Sequence, residues 1–241
     1  MKRNLTLAYG AATLVLGSAI ALSIAMAPPP TAPRGDPVEL EIAKIYWEYN
    51  SSANDLGVHV SLDGEDWKAL KIIRPGNKVI FEVRGRGAYQ ELGMTELFFE
   101  GAEPSLDEFP LAGLLAKFPE GEYDFEGVTV DNQLIEGEAQ FTHAIPAGPH
   151  VSTVQGANDF LRIDWTDVTA PPAGFPNRPI VIAGYQVIVG ENFQVTLPGS
   201  ANSCTVSPEF VASLAPGEQK FEVLAIEAGG NQTITEGTFI K

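Results

Sequence analysis

The densest group of oxygen donors in the chain lies in "NDLG", with Asn54 and Asp55, and in "DGEDW", with Asp63, Glu65 and Asp66. Carboxylates and amides of this kind hold calcium, which takes roughly 6 to 8 oxygens. The spacing of a calcium-binding EF-hand loop is absent, however, and Asp-Gly is a preferred hairpin dipeptide, so both segments read as turn chemistry. Asp63, Glu65 and Asp66 remain the metal candidates, and neither a metal nor any other cofactor is expected. Val58, Val60 and Leu62 between the two groups form a short strand of about 17 Å, which holds Asn54 and Asp55 away from the other three.

Groups for acid–base or nucleophilic work are sparse. His59, His143 and His150 are the histidines, and no two stand at the i, i+4 spacing of a zinc helix. Each reads as a surface or strand-end residue. There is no G-x-S-x-G elbow and no phosphate-binding loop. The single cysteine, Cys204 in "SCTVSPEF", has no histidine near it in sequence and reads as a buried, inert thiol that leaves no internal disulfide possible. Arg34-Gly35-Asp36 is the tripeptide that animal integrins read, but Pro33 and Pro37 flank it, and it is treated as linker composition. "RGRG", Arg84 to Gly87, reads as a glycine-relaxed strand end. No catalytic residue is assigned.

The elements that would carry these residues are strands. Ahead of them, Lys2 and Arg3 followed by an uncharged apolar run from Leu5 to Ile24 form an export signal over residues 1–25, with cleavage expected after Ala25. The alternative is an uncleaved anchor, the only route by which a membrane would become a partner. Residues 26–37 are a proline-rich tether. "AIPAGPH" then divides the remainder into domains at 38–146 and 147–241.

In the first domain Val38, Leu40 and Ile42 alternate in one phase and Ile45, Trp47 and Tyr49 in the other. The phase change predicts a bulge, or a strand changing sheets, near Ala43 and Lys44. "DGEDW" is expected to turn the chain into a strand through Leu70 and Ile72, followed by Val79, Phe81 and Val83, and then by "TELFFEG", "EYDFEGVTV" and "LIEGEAQFTH". A helix begins with Pro110 as its first residue and ends before Pro119, with Leu111, Leu114, Leu115 and Phe118 on one face, near 110–118.

In the second domain Leu161, Ile163 and Trp165 alternate, as do Tyr185, Val187 and Val189, and Phe193, Val195 and Leu197; "LAPG" precedes "FEVLAIEA". These positions resemble a fibronectin type III domain. The resemblance implies a β-sandwich whose core holds Trp165, Tyr185, Leu214 and Phe221. It departs from the family at the corner after "LAPG", where Lys220 and Phe221 replace the tyrosine, and at the long proline-rich connection "APPAGFPNRPIV". The whole chain resembles exported bacterial proteins that carry one such domain, which implies no activity.

The fold expected is therefore all-β: two tandem immunoglobulin-like or fibronectin III-like sandwiches, the first with a short helix, behind the signal segment. A formal charge of −16, with 22 acidic and 8 basic residues over 36–146, repels phosphate backbones and excludes nucleic acid as a partner. What is left is a non-catalytic exported binding or spacer module in the periplasm, at the cell surface or secreted, with a protein or a polysaccharide as partner. The alternative is an accessory polysaccharide-binding subunit of a secreted hydrolase, which would need exposed aromatic residues on one sheet face. A third reading is a small hydrolase with a dispersed site.

Overall fold

The change of phase in the first strands has a visible cause. In the computed structural model, residues 35–241 are described; the segment expected to be an export signal, the expected cleavage after Ala25 and most of the expected tether lie outside the described residues. The first half runs β1 (Val38–Glu39), β2 (Ile42–Asn50), β3 (Asp55–Arg74), β4 (Lys78–Arg84), α1 (Ala88–Leu92), β5 (Met94–Glu100), α2 (Leu111–Lys117), β6 (Gly121–Thr129) and β7 (Leu134–Phe141). β1 pairs in parallel with β7, the chain breaks its ladder at Leu40 and Glu41, and β2 resumes as the antiparallel neighbour of β3. The strand changes neighbours two residues earlier than the alternation alone suggested.

β3 corrects a second expectation. "DGEDW" does not reverse the chain: β3 continues through it for 20 residues, its first part pairing β2 and β5 and its last part pairing β4 and β6. A tight Asp-Gly hairpin turn needs positive φ, and Gly64 is not among the glycines that adopt it. The strand bends instead, slipping register between Asp63 and Trp67 against β5 and between Trp67 and Ala69 against β6. At Gly64 a β-carbon would lie 3.0 Å from Leu40, so glycine serves close packing rather than a turn. The bend lets both parts of β3 wrap one core, in which Leu56, Val60, Leu62, Trp67, Leu70 and Ile72 are all buried.

On β4 a register shift opposite Ile72 and Ile73 turns Val79 outward, 46% exposed, while Phe81 and Val83 keep the inward phase. Helix α2 forms where the proline bracket placed it, with Pro110 as N-cap rather than first residue and Leu114 buried. Helix α1, with no buried residue, was not anticipated.

The second half comprises β8 (Val151–Gln155), β9 (Leu161–Trp165), β10 (Ile182–Val189), β11 (Phe193–Pro198), β12 (Ser203–Val206), α3 (Pro208–Ser213), β13 (Glu218–Glu227) and β14 (Gln232–Ile240). A sheet ordered β12-β9-β8 packs on one ordered β14-β13-β10-β11. β10 and β11 are an antiparallel hairpin from Gly184↔Pro198 to Val189↔Phe193, closed by a turn in which Gly190 has φ 57°. The Trp165 ring is 5.4 Å from that of Tyr185, and its Nε1 donates to the Ala201 carbonyl at 2.9 Å. The Tyr185 hydroxyl accepts from the Val168 N–H at 3.1 Å. Phe221 lies across Gly237 on the paired strand β14, where any β-carbon would collide with its ring. Leu214, capping α3, packs on the same cluster, and Cys204 is buried in it. Helix α3 starts at Pro208 with Ser207 as N-cap, accepting from the Phe210 N–H.

The two halves share a sheet. β14 pairs in parallel with β2 through Gln232↔Glu48, Thr233↔Tyr49 and Ile234↔Asn50, so one hydrogen-bonded path runs β1-β7-β6-β3-β2-β14-β13-β10-β11. The described residues fall in one compact unit. Between β7 and β8, Ala144, Ile145, Pro146 and Pro149 are buried.

Candidate functional site

Strand alternation sends Ile45, Trp47 and Tyr49 of β2 and Val58, Val60 and Leu62 of β3 into the core. Tyr46 and Glu48, and Gly57 and His59, therefore share the opposite face. Two rows cross this face: Gln232–Glu48–Gly57 over β14, β2 and β3, and Tyr46–His59–Glu100 over β2, β3 and β5. Gly57 leaves a gap in the first row. Glu103, from the segment after β5, lies in it, and a β-carbon at position 57 would overlap its side chain.

The result is a cluster of Glu48, His59 and Glu103. His59 Nε2 is 2.9 Å from Glu103 Oε1 and 3.7 Å from Glu48 Oε1. The imidazole is buried, its side chain 4% exposed, against 15% for Glu48 and 34% for Glu103. The rings of Tyr46 and Phe98 stand 5.4 and 6.1 Å from it. Gln232 donates from Nε2 to Glu48 Oε2. Burial, first of all, holds the Glu48 carboxyl above the ordinary glutamate range, with His59 opposing and Glu103 and Glu100 adding to the rise. The Tyr46 hydroxyl is pushed up to about 12 by burial and then by Glu48 and Glu100.

The expected histidine positions need correction. His59 is neither at the surface nor at a strand end; it sits mid-strand and buried. His143 is half-buried, its Nε2 2.8 Å from the Phe118 carbonyl oxygen, and His150 is exposed. Asp63, Glu65 and Asp66 stand on β3 where its register slips, with Asp63 opposite Ile42 and Glu96. Asp55 opens β3 and Asn54 precedes it, so Asp55 stands about 26 Å from Asp63 at the usual rise. Asn54 donates to Asp107 and accepts from the Tyr49 hydroxyl, and the Asp55 carboxyl is raised by burial and by Glu103 and Glu236. A further acidic group on β6 and β7, Glu122, Asp124 and Glu138, is solvent-facing.

Beside the cluster runs a groove of about 620 Å³, lined by Tyr46, Ser61, Ala183, Glu227, Gly229 and Gln232, so both halves contribute to it. Below it the junction is held by buried polar contacts. Asn231, 1% exposed, accepts from the Trp47 N–H at 2.9 Å and donates to Thr142 and to the Ala144 carbonyl. Thr233 donates to the Pro146 carbonyl, and the Ser51 hydroxyl to the Ile234 carbonyl. The long proline-rich connection of the second half is part of this clamp: Phe175 packs 4.9 Å from Tyr49, and Arg178 pairs with Glu120. The Arg178 guanidinium in turn lowers the Glu120 carboxyl below its usual range.

No family model matches the chain, and no curated protein matches it. Among solved structures, a two-domain fibronectin type III segment of chicken tenascin is similar at 13% identity over 84% of this chain and 99% of that one, with a TM-score of 0.30. Fibronectin III-like modules of CbhA from Clostridium thermocellum match at 10% identity over 81% and 92%, with a TM-score of 0.27. The spore cortex lytic enzyme SleM of Clostridium perfringens matches at 19% identity over 40% of this chain, with a TM-score of 0.30, and the match spans 28% of the enzyme's length. By its own strand pairing, three strands packed on four in the second half and a helix-bearing β-structure in the first, the chain is an all-β protein with a fibronectin III-like fold.

Proposed function

We propose that the chain is a non-catalytic, exported module that works as a stiff unit, holding or presenting a protein or glycan partner, with sandwich domains meeting at 146 and 147. The observation that carries this reading is the sheet shared by the two halves. A flexible linker lets domains tumble separately, whereas main-chain pairing of β14 with β2 and the buried Asn231 contacts oppose any hinge there. For the glycan alternative, the exposed aromatic residues Tyr89, Phe98 and Phe160 fall on α1, β5 and the β8–β9 connection rather than in a row on one face.

Small-angle scattering of the mature chain tests the stiffness. The expected profile is that of one rigid particle, unchanged with salt. A profile that fits only an ensemble of two independently moving bodies would remove the basis of the proposal.

A further inference from the structure

We propose that Glu48, His59 and Glu103 bind one divalent transition-metal ion, zinc fitting best, through Nε2 of His59 and one oxygen from each carboxylate, with water completing the shell on the Glu103 side. This site is separate from the stiffness argument and stands or falls without it.

The three donor atoms lie within 4.8 Å of one another, with nitrogen-to-oxygen separations of 2.9 and 3.7 Å. Tetrahedral zinc with bonds near 2.0–2.1 Å keeps its ligands about 3.3 Å apart, between those two values. Both carboxylates address the same ring nitrogen, so a cation in place of the Nε2 proton meets all three donors with small side-chain movements.

Glu48, Glu100 and Glu103 surround one buried imidazole, and among the described residues no lysine or arginine forms an ion pair with any of them. Carboxylates crowded into a poorly solvated place repel one another and lose hydration. A bound dication offsets two of these charges.

The Gln232 amide orients Glu48 from the far oxygen, as outer-shell groups do for metal-binding carboxylates. Tyr46 and Phe98 flank the imidazole, and the more exposed Glu103 provides the route from solvent. One imidazole with two carboxylates selects a borderline ion over calcium or magnesium, which call for more oxygen ligands or retained water.

The test uses the whole mature chain, stripped with a chelator, titrated with zinc by calorimetry and with cobalt(II) by visible absorption. Expected are one ion per chain, cobalt bands of a low-symmetry four-coordinate site, and no comparable heat from calcium or magnesium. Glu103→Gln, at a partly exposed position with circular dichroism unchanged, weakens zinc at least about tenfold, and His59→Gln removes the cobalt bands. The proposal is overturned by an absence of saturable zinc binding below about 1 mM. It is equally overturned by wild-type affinity in Glu103→Gln, which decides the matter alone should His59→Gln not fold.

Discussion

Replacing Asn231 with alanine removes a side chain that joins the two halves by buried hydrogen bonds. Its Oδ1 supplies the rung that β14, beginning at Gln232, is one residue too late to provide, accepting from the Trp47 N–H. Its Nδ2 serves Thr142 and the Ala144 carbonyl. Leaving the Trp47 amide unpaired in the interior costs about 1–3 kcal/mol, and the two lost donor contacts about 0.5–1.5 kcal/mol each, so a loss of about 2–6 kcal/mol is expected. Urea unfolding of the full chain, followed by fluorescence of Trp47, Trp67 and Trp165, measures it, since these tryptophans report on both cores. Asn231→Asp keeps an acceptor for Trp47 but sets a carboxylate against the Thr142 and Ala144 carbonyls, and at neutral pH it should destabilise at least as much as alanine. A loss under about 1 kcal/mol in Asn231→Ala, the scale of surface changes, would refute the reasoning, as would an aspartate variant as stable as the native chain.

Trp165→Ala empties a buried site and frees the Ala201 carbonyl, and is expected to cost about 3–5 kcal/mol in the same urea assay; under about 1 kcal/mol would show that the ring is not a core anchor. Burial holds the Glu227 carboxyl above the ordinary glutamate range, against opposing hydrogen bonds from the Gly229 and Ala228 N–H groups. Because its folded pKa is the higher one, the stability it contributes is present below the unfolded glutamate pKa and is lost as pH rises through the folded value. The stability of Glu227→Gln relative to the native chain should therefore grow from acid toward neutral pH, and a difference that stays flat across that range contradicts the assignment.

Alternation is a local property, so the sequence by itself carries it. The hairpin from Ile182 to Gly199, the inward faces of Trp165 and Tyr185, and the helix bracketed by Pro110 and Pro119 each follow from residues a few positions apart. Asp63-Gly64 shows the limit of local pattern. The dipeptide permits a turn without requiring one, and burying Trp67 between two sets of partners keeps β3 extended through it. His59 looks ordinary in the sequence because its partners are remote: Glu103 stands 44 residues away, and nothing near it in sequence announces Glu48. The phase opposite Val58 and Val60 places His59 on the outer face. Only the pairing of β2 with β3, and the gap at Gly57, decides which carboxylates meet it. The junction is more distant still, since Asn231 reaches Trp47 across 184 residues. Which face a side chain takes is settled by its immediate neighbours through the pleat, whereas which strands lie side by side is settled by how the whole chain buries its apolar faces and satisfies its backbone.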